Sequence, residues 1–441
     1  MKKLSVFAVA ALLSAATVCA QETAPLELIE VTETAAPAVA VAPLDIKAVG
    51  QKQWAYYKSL SETTDEKLAQ TVLDSVDAWL INYADEDTGD DALLLKAELQ
   101  ARLKDSKGAI VTLVHHLYEY PDSDLSFTLR SKLTRMIDKN VANKIQPALN
   151  KIKEGSKRTS KADRIAEFLT NMSDGTMDYF YEPMLLEFDA FYTKYPAYGR
   201  MDEIDLALGR IYAAHGLATS SVFQYNKISA VYPNSNLRPQ ARMLAADVYE
   251  TNLSKYDDAM SAYQSVVNDF PSSAQAKIAY TKIAKLAEKQ KQYSLAADAY
   301  KTLVEKYPKT DDAFTAFMDK AELQRNKMSD YAGAIETLSA AATMFKGDAA
   351  KGIKALSQAA EISEKNLRDY EQQVKLLDRI VEEYPDSVQA PASLFSAAEI
   401  CTEKLKDPDR GALKYQQVID RYPGNSLVKK AEKALKNLQA S

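Results

Sequence analysis

A turn signal of one aromatic residue, then proline, then small polar residues recurs along this chain. It stands at Tyr120-Pro121, Tyr195-Pro196, Tyr232-Pro233, Phe270-Pro271, Tyr307-Pro308, Tyr384-Pro385 and Tyr422-Pro423. From Tyr195 on, with Phe345 filling the one gap, the aromatic positions are 37, 38, 37, 38, 39 and 38 residues apart. Tyr120 lies 75 residues before Tyr195, two periods, with Gly155-Ser156 near the expected midpoint, and Tyr83 lies one period earlier still. A fixed period of this length marks stacked repeats, each too small to bury its own apolar face. About ten such units fit the chain beyond residue 50.

Each unit reads as two helices. In residues 274–308, Ala276, Ala279, Tyr280, Ile283, Ala284 and Ala287 form one apolar stripe at helical spacing. Lys289 to Gln292 reads as a polar turn, and Tyr293, Ala296, Ala297, Tyr300, Leu303, Val304 and Tyr307 form a second stripe. Pro308 then ends the helix because it cannot continue the hydrogen-bond ladder. Ala284 and Ala296 are small where two helices must approach closely. The chain holds only 13 Gly and 15 Pro, and Ala, Leu, Lys, Glu and Gln dominate after residue 50, which favours helix throughout.

These residues resemble the tetratricopeptide repeat, whose pattern is Trp-x2-Leu-Gly-x2-Tyr, then Ala-x3-Phe, then Pro. Here the unit has Tyr280-x2-Ile283-Ala284-x2-Ala287, then Ala296-x3-Tyr300, then Pro308. Ala259 with Tyr263, and Ala334 with Leu338, repeat the second half. Gln373 replaces the Ala before Leu377, and the period exceeds the family's 34, so helices or turns should be longer by about one helical turn. The Tyr-Pro-x-Ser flavour is similar to bacterial cell-envelope members, of the outer-membrane assembly and Tol-Pal coordinator type. The resemblance implies an all-α, helical-hairpin solenoid winding as a right-handed superhelix, in about ten units of 37–39 residues. It is strong over 201–441 and divergent over 51–200. It also implies that first helices line a concave face. In the clearest unit the outward positions are Ile278, Thr281, Lys285 and Glu288, which become the candidate groove-lining residues.

Both ends depart from the repeat. Lys2 and Lys3 precede an uncharged apolar stretch, and Val18-Cys19-Ala20 offers small side chains for cleavage before Gln21. Residues 1–20 thus read as a signal peptide. The alternative, lipidation at Cys19, fits poorly because Ala16-Thr17-Val18-Cys19 lacks the usual Leu and small residue. Membrane association is expected only through such a lipid or through partners. Residues 21–50, with Pro25, Pro37 and Pro43 and no helical period, read as a flexible Ala/Pro-rich linker. At the other end, Leu427, Val428, Ala431, Ala434, Leu435 and Leu438 form one face of a capping helix whose other face carries Lys429, Lys430, Lys433 and Lys436.

No motif for catalysis emerges. His115 and His116 are adjacent, so they point about 100° apart and do not form the i, i+4 pair of a zinc helix. Helix packing is the expected role for both, and for His215. Counted from Asp85, a calcium loop would place Gly89, Asp90 and Lys96 at its fifth, sixth and twelfth positions, against the required Asp or Asn, Gly and Glu. Gly347-x4-Gly352-Ile353-Lys354 misses the phosphate loop by one residue. Lys151, Lys153, Lys157, Arg158, Lys161 and Arg164 make a basic stretch where the rhythm lacks its Tyr-Pro, read first as a solvated loop. Most of the tyrosines placed so far occupy the repeat's own core positions. Cys401, the one cysteine left after cleavage, lies in a helical pattern and reads as core filler. The formal charge of −6 argues against nucleic acid as a partner. No metal or cofactor is expected, and an enzyme is not. The expected role is an exported, periplasmic scaffold or adaptor that binds envelope proteins. A glycan- or peptidoglycan-binding protein, or the non-catalytic arm of a cell-wall enzyme, is the alternative.

Overall fold

Restricting the backbone φ and ψ of one residue per unit is what divides this chain into hairpins. The residue before a proline is held out of the helical region. Tyr195, Phe270, Tyr307, Tyr384 and Tyr422 accordingly end their helices at nearly one conformation, with φ between −136° and −127° and ψ between 51° and 56°. Phe345, which Lys346 follows, relaxes to φ −104° and ψ 24°.

The computed structural model describes residues 45–83, 88–175 and 178–439, and all regular elements among them are helices. By compactness the chain divides into residues 1–51 and 52–441. The leader 1–20, Cys19, the cleavage point at Gln21, the first part of the 21–50 linker and Asp85 to Asp87 lie outside the described residues. The helices are α1 (Ile46–Ser59), α2 (Glu66–Asn82), α3 (Gly89–Arg102), α4 (Ser106–Glu119), α5 (Ser126–Asn140), α6 (Gln146–Ile152) and α7 (Lys161–Gly175). They continue with α8 (Tyr181–Lys194), α9 (Met201–Ala214), α10 (Ala218–Val231), α11 (Arg238–Thr251), α12 (Tyr256–Asp269), α13 (Ala274–Lys289) and α14 (Tyr293–Lys306). The last are α15 (Asp311–Leu323), α16 (Tyr331–Met344), α17 (Ala349–Ile362), α18 (Tyr370–Glu383), α19 (Ala390–Glu403), α20 (Pro408–Arg421) and α21 (Val428–Gln439). Helix α1 starts inside the 21–50 stretch. After Pro43 nothing breaks the helix, and the Asp45 carboxylate accepts from the Ala48 amide at 3.1 Å.

From α9 to α21 each helix packs on the one before and the one after it, the connectivity of a helical-hairpin solenoid. Both stripes of the 274–308 unit are where the sequence puts them. Ala276, Ala279, Ala284, Ala287 and Ala296 are buried, as are Tyr280, Ile283, Tyr300, Leu303 and Val304. Tyr118, Tyr225, Tyr263 and Tyr300 are among the largest fully buried side chains, while Tyr293 and Tyr307 pack half-buried against the same core. In the units of α13, α15 and α17 the extra length over a 34-residue repeat sits in the first helix, whereas α9, α11 and α19, like the second helices α14, α16 and α18, have 14 residues. Helix α13 has 16 residues and runs through Lys289, one residue into the expected polar turn. Helices α15 and α17 each run on into a five-residue π-helical turn, Gln324–Met328 and Ser363–Leu367. These end at Ser329 and Arg368, with φ of 55° and 56°. The first turn is tied down by Gln324, which donates to Asp330 Oδ2 at 3.0 Å and accepts from Thr337 Oγ1 at 2.7 Å.

Residues 52–200 depart from this order. Helix α4 packs on α7 and α8 as well as on α3 and α5, and α2 touches α8. Short α6, of 7 residues, and the connection after it stand where a Tyr-Pro turn would be. Gly155 makes that connection possible. Its φ is +80°, and a Cβ there would sit 2.7 Å from the backbone oxygen of Leu117. At the other end, α21 buries Ala431 and packs Leu427, Ala434, Leu435 and Leu438 on the last hairpin. Cys401 is wholly buried, in the role expected of it.

One contact recurs in distant units. The tyrosine at the end of a unit lies over a glycine at the start of its first helix, Tyr120 over Gly89 and Tyr384 over Gly352. A Cβ on Gly352 would come within 1.8 Å of the Tyr384 hydroxyl, and Tyr384 is buried. Gly352→Ala should therefore destabilise this unit by about 1–3 kcal/mol, as overpacking does, despite the better helix propensity of Ala. A lowered urea midpoint by circular dichroism checks this, and an unchanged or raised midpoint would mean the ring moves aside freely.

Candidate functional site

The repeat places one first helix beside the next, so α13, α15 and α17 form a row. Lys285 and Glu288 of α13 line a concavity of about 440 Å³ with Tyr300, Asp319, Glu322, Leu323, Asn326 and Lys327. An adjoining one of about 410 Å³ reuses Asp319, Glu322 and Asn326 and adds Arg325, Lys354, Gln358 and Glu361. Two of the four candidate residues, Lys285 and Glu288, are thus brought together. Ile278, half exposed, and Thr281, half-buried, line neither concavity.

Glu288 is not free to turn. Its carboxylate accepts from the Tyr300 hydroxyl at 2.8 Å. Burial, with this bond to Glu288, pushes the Tyr300 hydroxyl well above its usual range. Burial also raises Asp319, opposed by the nearby Lys285. Glu361 lies 3.5 Å from Arg325 and 3.3 Å from Lys365. Similar ties recur upstream. Tyr263 donates to Asp247 at 2.6 Å, and Tyr232 to Asp205 at 2.8 Å. Spacing along the chain did not reveal these ties, because the two partners sit on different helices. The row presents ammonium, guanidinium, amide and carboxylate groups at one surface, chemistry suited to holding a polar chain by hydrogen bonds and ion pairs.

His115 of α4 carries more than helix packing, and here the sequence reading needs correcting. His115 stacks on Phe168 at 5.0 Å, with ring nitrogens 2.9 Å from Glu119 and 2.7 Å from Glu187. Burial alone would lower the His115 pKa, yet Glu187 and Glu119 outweigh it and raise it to about 9. Glu187 is likewise opposed by burial and held down to about 2 by His115 and Lys96. Lys96 lies 2.9 Å from Asp77 and 3.7 Å from Glu187. His116, one residue on, has no carboxylate this close and is wholly buried, which lowers its pKa to about 4. His215 pairs with Asp178 at 2.7 Å and stacks on Tyr181 at 3.6 Å.

The basic stretch is also less solvated than its sequence suggests. Arg164 donates to the backbone oxygens of Tyr118 and Glu119 at 3.0 and 2.9 Å. Lys161 reaches Glu119 at 2.7 Å, and Lys153 donates to Thr134 at 3.1 Å. Arg158 pairs with Glu167 at 3.3 Å, so four of its six cations fasten the connection after α6 and the start of α7 to the helices around them. The acidic run read against calcium is bound up similarly where it is described. Asp90 accepts from Ser123 at 2.7 Å, and Asp91 pairs with Lys58 at 3.2 Å. No group of three or more His, Cys, Asp or Glu among the described residues is arranged to hold a metal ion. No helix among them is long and apolar enough to cross a membrane.

A tetratricopeptide repeat protein from Parabacteroides merdae is similar to this chain at 14% identity, covering 63% of this chain and 98% of that one, with a TM-score of 0.33. The Rap protein complexed with competence and sporulation factor is 14% identical over 88% of this chain and 99% of its own, with a TM-score of 0.30. The TPR2AB domain of yeast Sti1, in its pHSP90 complex, is 12% identical over 55% of this chain and 99% of its own, with a TM-score of 0.23. A comparison with curated proteins finds no match. The tetratricopeptide repeat family model matches residues 240–273, 279–310 and 354–387. Two of these segments take in parts of α13 and α17, while α15 lies between them, and in all three the chain carries tetratricopeptide repeats.

Proposed function

We propose that this protein is an exported bacterial scaffold that holds a polar segment of a partner protein along the row of first helices α13, α15 and α17. One observation carries the reading. The two concavities share Asp319, Glu322 and Asn326, so a single extended chain could lie across both. Proteins built of tetratricopeptide repeats generally act as protein-binding scaffolds, and the match to that repeat takes in the parts of α13 and α17 that carry Lys285, Glu288 and Lys354. The leader-like residues 1–20 support an envelope setting, with partners among envelope proteins.

The test is capture from the native envelope by crosslinking and mass spectrometry, with wild type beside a Lys285→Glu, Lys354→Glu pair. Lys285 and Lys354 line the concavities, and their interactions there are long-range, Lys285 with Asp319 and Lys354 over the Phe314 ring at 6.0 Å, so the fold should hold, with an unchanged circular dichroism spectrum. Capture of one protein complex should fall at least about tenfold, the loss of about 1.4 kcal/mol. Equal capture by both proteins would remove this row as the binding surface. Recovery of wall fragments alone would favour the glycan-binding alternative.

A further inference from the structure

A second cavity, remote in sequence from the repeats just described, has a different chemistry. It holds about 160 Å³ between α2, α3, α4, α7 and α8. Leu80, Ile81, Leu93 and Phe191 line it with apolar surface, and Lys96, His115 and Glu187 line it with charge. The charged members are deeply buried as well, with Lys96 and Glu187 side chains 13% and 5% exposed. Leu186 and Ile81 stand at the mouth, 65% and 39% exposed. A cavity of roughly 150 Å³ accommodates a benzene-sized molecule.

The ionic network bordering this space is not balanced. Lys96 contacts Asp77 and Glu187, His115 contacts Glu119 and Glu187, and Lys161 and Lys194 both contact Glu119. Four cations thus share three carboxylates. The remaining acid of the lining, Asp189, is exposed at the rim, where water screens it. Lys96 has three donors but only one short contact, 2.9 Å to Asp77, its second being 3.7 Å. Lys194 is 26% exposed beside the same space.

We propose that this cavity binds a small free monocarboxylate whose apolar body is about the size of a benzene ring or a leucine side chain. The apolar body fills the space between Leu80, Ile81, Leu93 and Phe191. The carboxylate meets Lys96 and Lys194, supplying the anion that the network lacks, in charge-assisted hydrogen bonds out of bulk water. No partner protein is involved, so this inference stands or falls apart from the scaffold reading.

Titration calorimetry of the full chain with phenylacetate, and with its uncharged isostere phenylacetamide, tests it. Saturable one-site binding of the acid is expected, with the amide at least tenfold weaker. Leu186→Trp, at a side chain exposed enough to change without disturbing the fold, should block the mouth and weaken the acid at least tenfold. Lys194→Met should weaken it severalfold. Absence of saturable binding at millimolar acid, equal binding of acid and amide, or no effect of Leu186→Trp each overturns the proposal. So does binding of a peptide ending in Phe where the free acid fails, since the ligand would then be a chain terminus.

Discussion

Lys96→Met is expected to destabilise the helices of residues 52–200 by about 3–5 kcal/mol, the cost of breaking a buried ion pair from one side. The reason is what the substitution leaves behind. Glu187 is buried to 5% and ionised, held so by Lys96 and His115 together. Without Lys96 it keeps one cationic partner instead of two in a place water scarcely reaches, and Asp77 loses its own 2.9 Å contact. The double variant Lys96→Met, Glu187→Leu should cost less than the single one, because the unmatched carboxylate left behind, Asp77, is 39% exposed rather than buried, and His115 keeps Glu119 at 2.9 Å. This inversion separates electrostatics from simple loss of packing, which would make the double variant worse. The protein provides a convenient probe. Its two tryptophans, Trp54 and Trp79, are both buried in this region, with their rings 5.4 Å apart and tilted by 34°. Repeat arrays unfold locally, so tryptophan fluorescence should report the loss at lower urea than circular dichroism, which is dominated by the later helices. A Lys96→Met protein within about 1 kcal/mol of wild type by fluorescence would mean that Glu187 simply takes up a proton or reaches water.

The repeats were legible because their signals are local and periodic. Tyr307-Pro308 marks a helix end, and the Ala276 to Ala287 stripe marks a buried face. Both follow from backbone sterics and from water's rejection of apolar surface, which act over a few residues. Lys285 and Glu288 could be placed by counting within such a helix. Ile278 and Thr281 lie on the same helix, but the neighbouring α15 contributes Asp319 and Glu322 only opposite its C-terminal half. Where concavities open depends on the adjacent unit, which helical spacing alone does not specify. The charge cluster was illegible for a stronger reason. Lys96 and Glu187 belong to α3 and α8, brought together because α2 and α4 both touch α8. The repeat rhythm predicts neighbours one unit apart, whereas this contact spans the irregular segment around α6. His115 and His116 looked alike in sequence for the same reason, since the carboxylate of Glu187 reaches only one of them.

That difference between adjacent histidines predicts a maximum in stability near pH 6.5, the ordinary histidine pKa. His116 is buried neutral, with its pKa lowered to about 4. As pH falls from 6.5, unfolded chains take up a proton there that the folded protein refuses, so stability declines toward pH 4. His115 acts in the opposite sense, because Glu187 and Glu119, outweighing burial, raise it to about 9. Its contribution is complete below pH 6.5 and is lost as pH rises through 9, where the folded protein must release a proton that the unfolded chain has already given up. A shift of this size corresponds to roughly 3 kcal/mol for each histidine. Glu187, held down to about 2, adds a further loss only below its unfolded pKa of 4.5. Urea midpoints by tryptophan fluorescence at pH 5, 6.5 and 8.5 should therefore rise and then fall. His116→Leu should flatten the acid limb and leave the alkaline limb in place. His115→Gln should lower stability at pH 5 and 6.5 alike, much less at pH 8.5, and so flatten the alkaline limb, since glutamine cannot carry the charge that Glu119 and Glu187 hold. A wild-type profile level from pH 5 to 8.5 would mean that both rings titrate as if in water, and that the cluster around His115 is open to solvent.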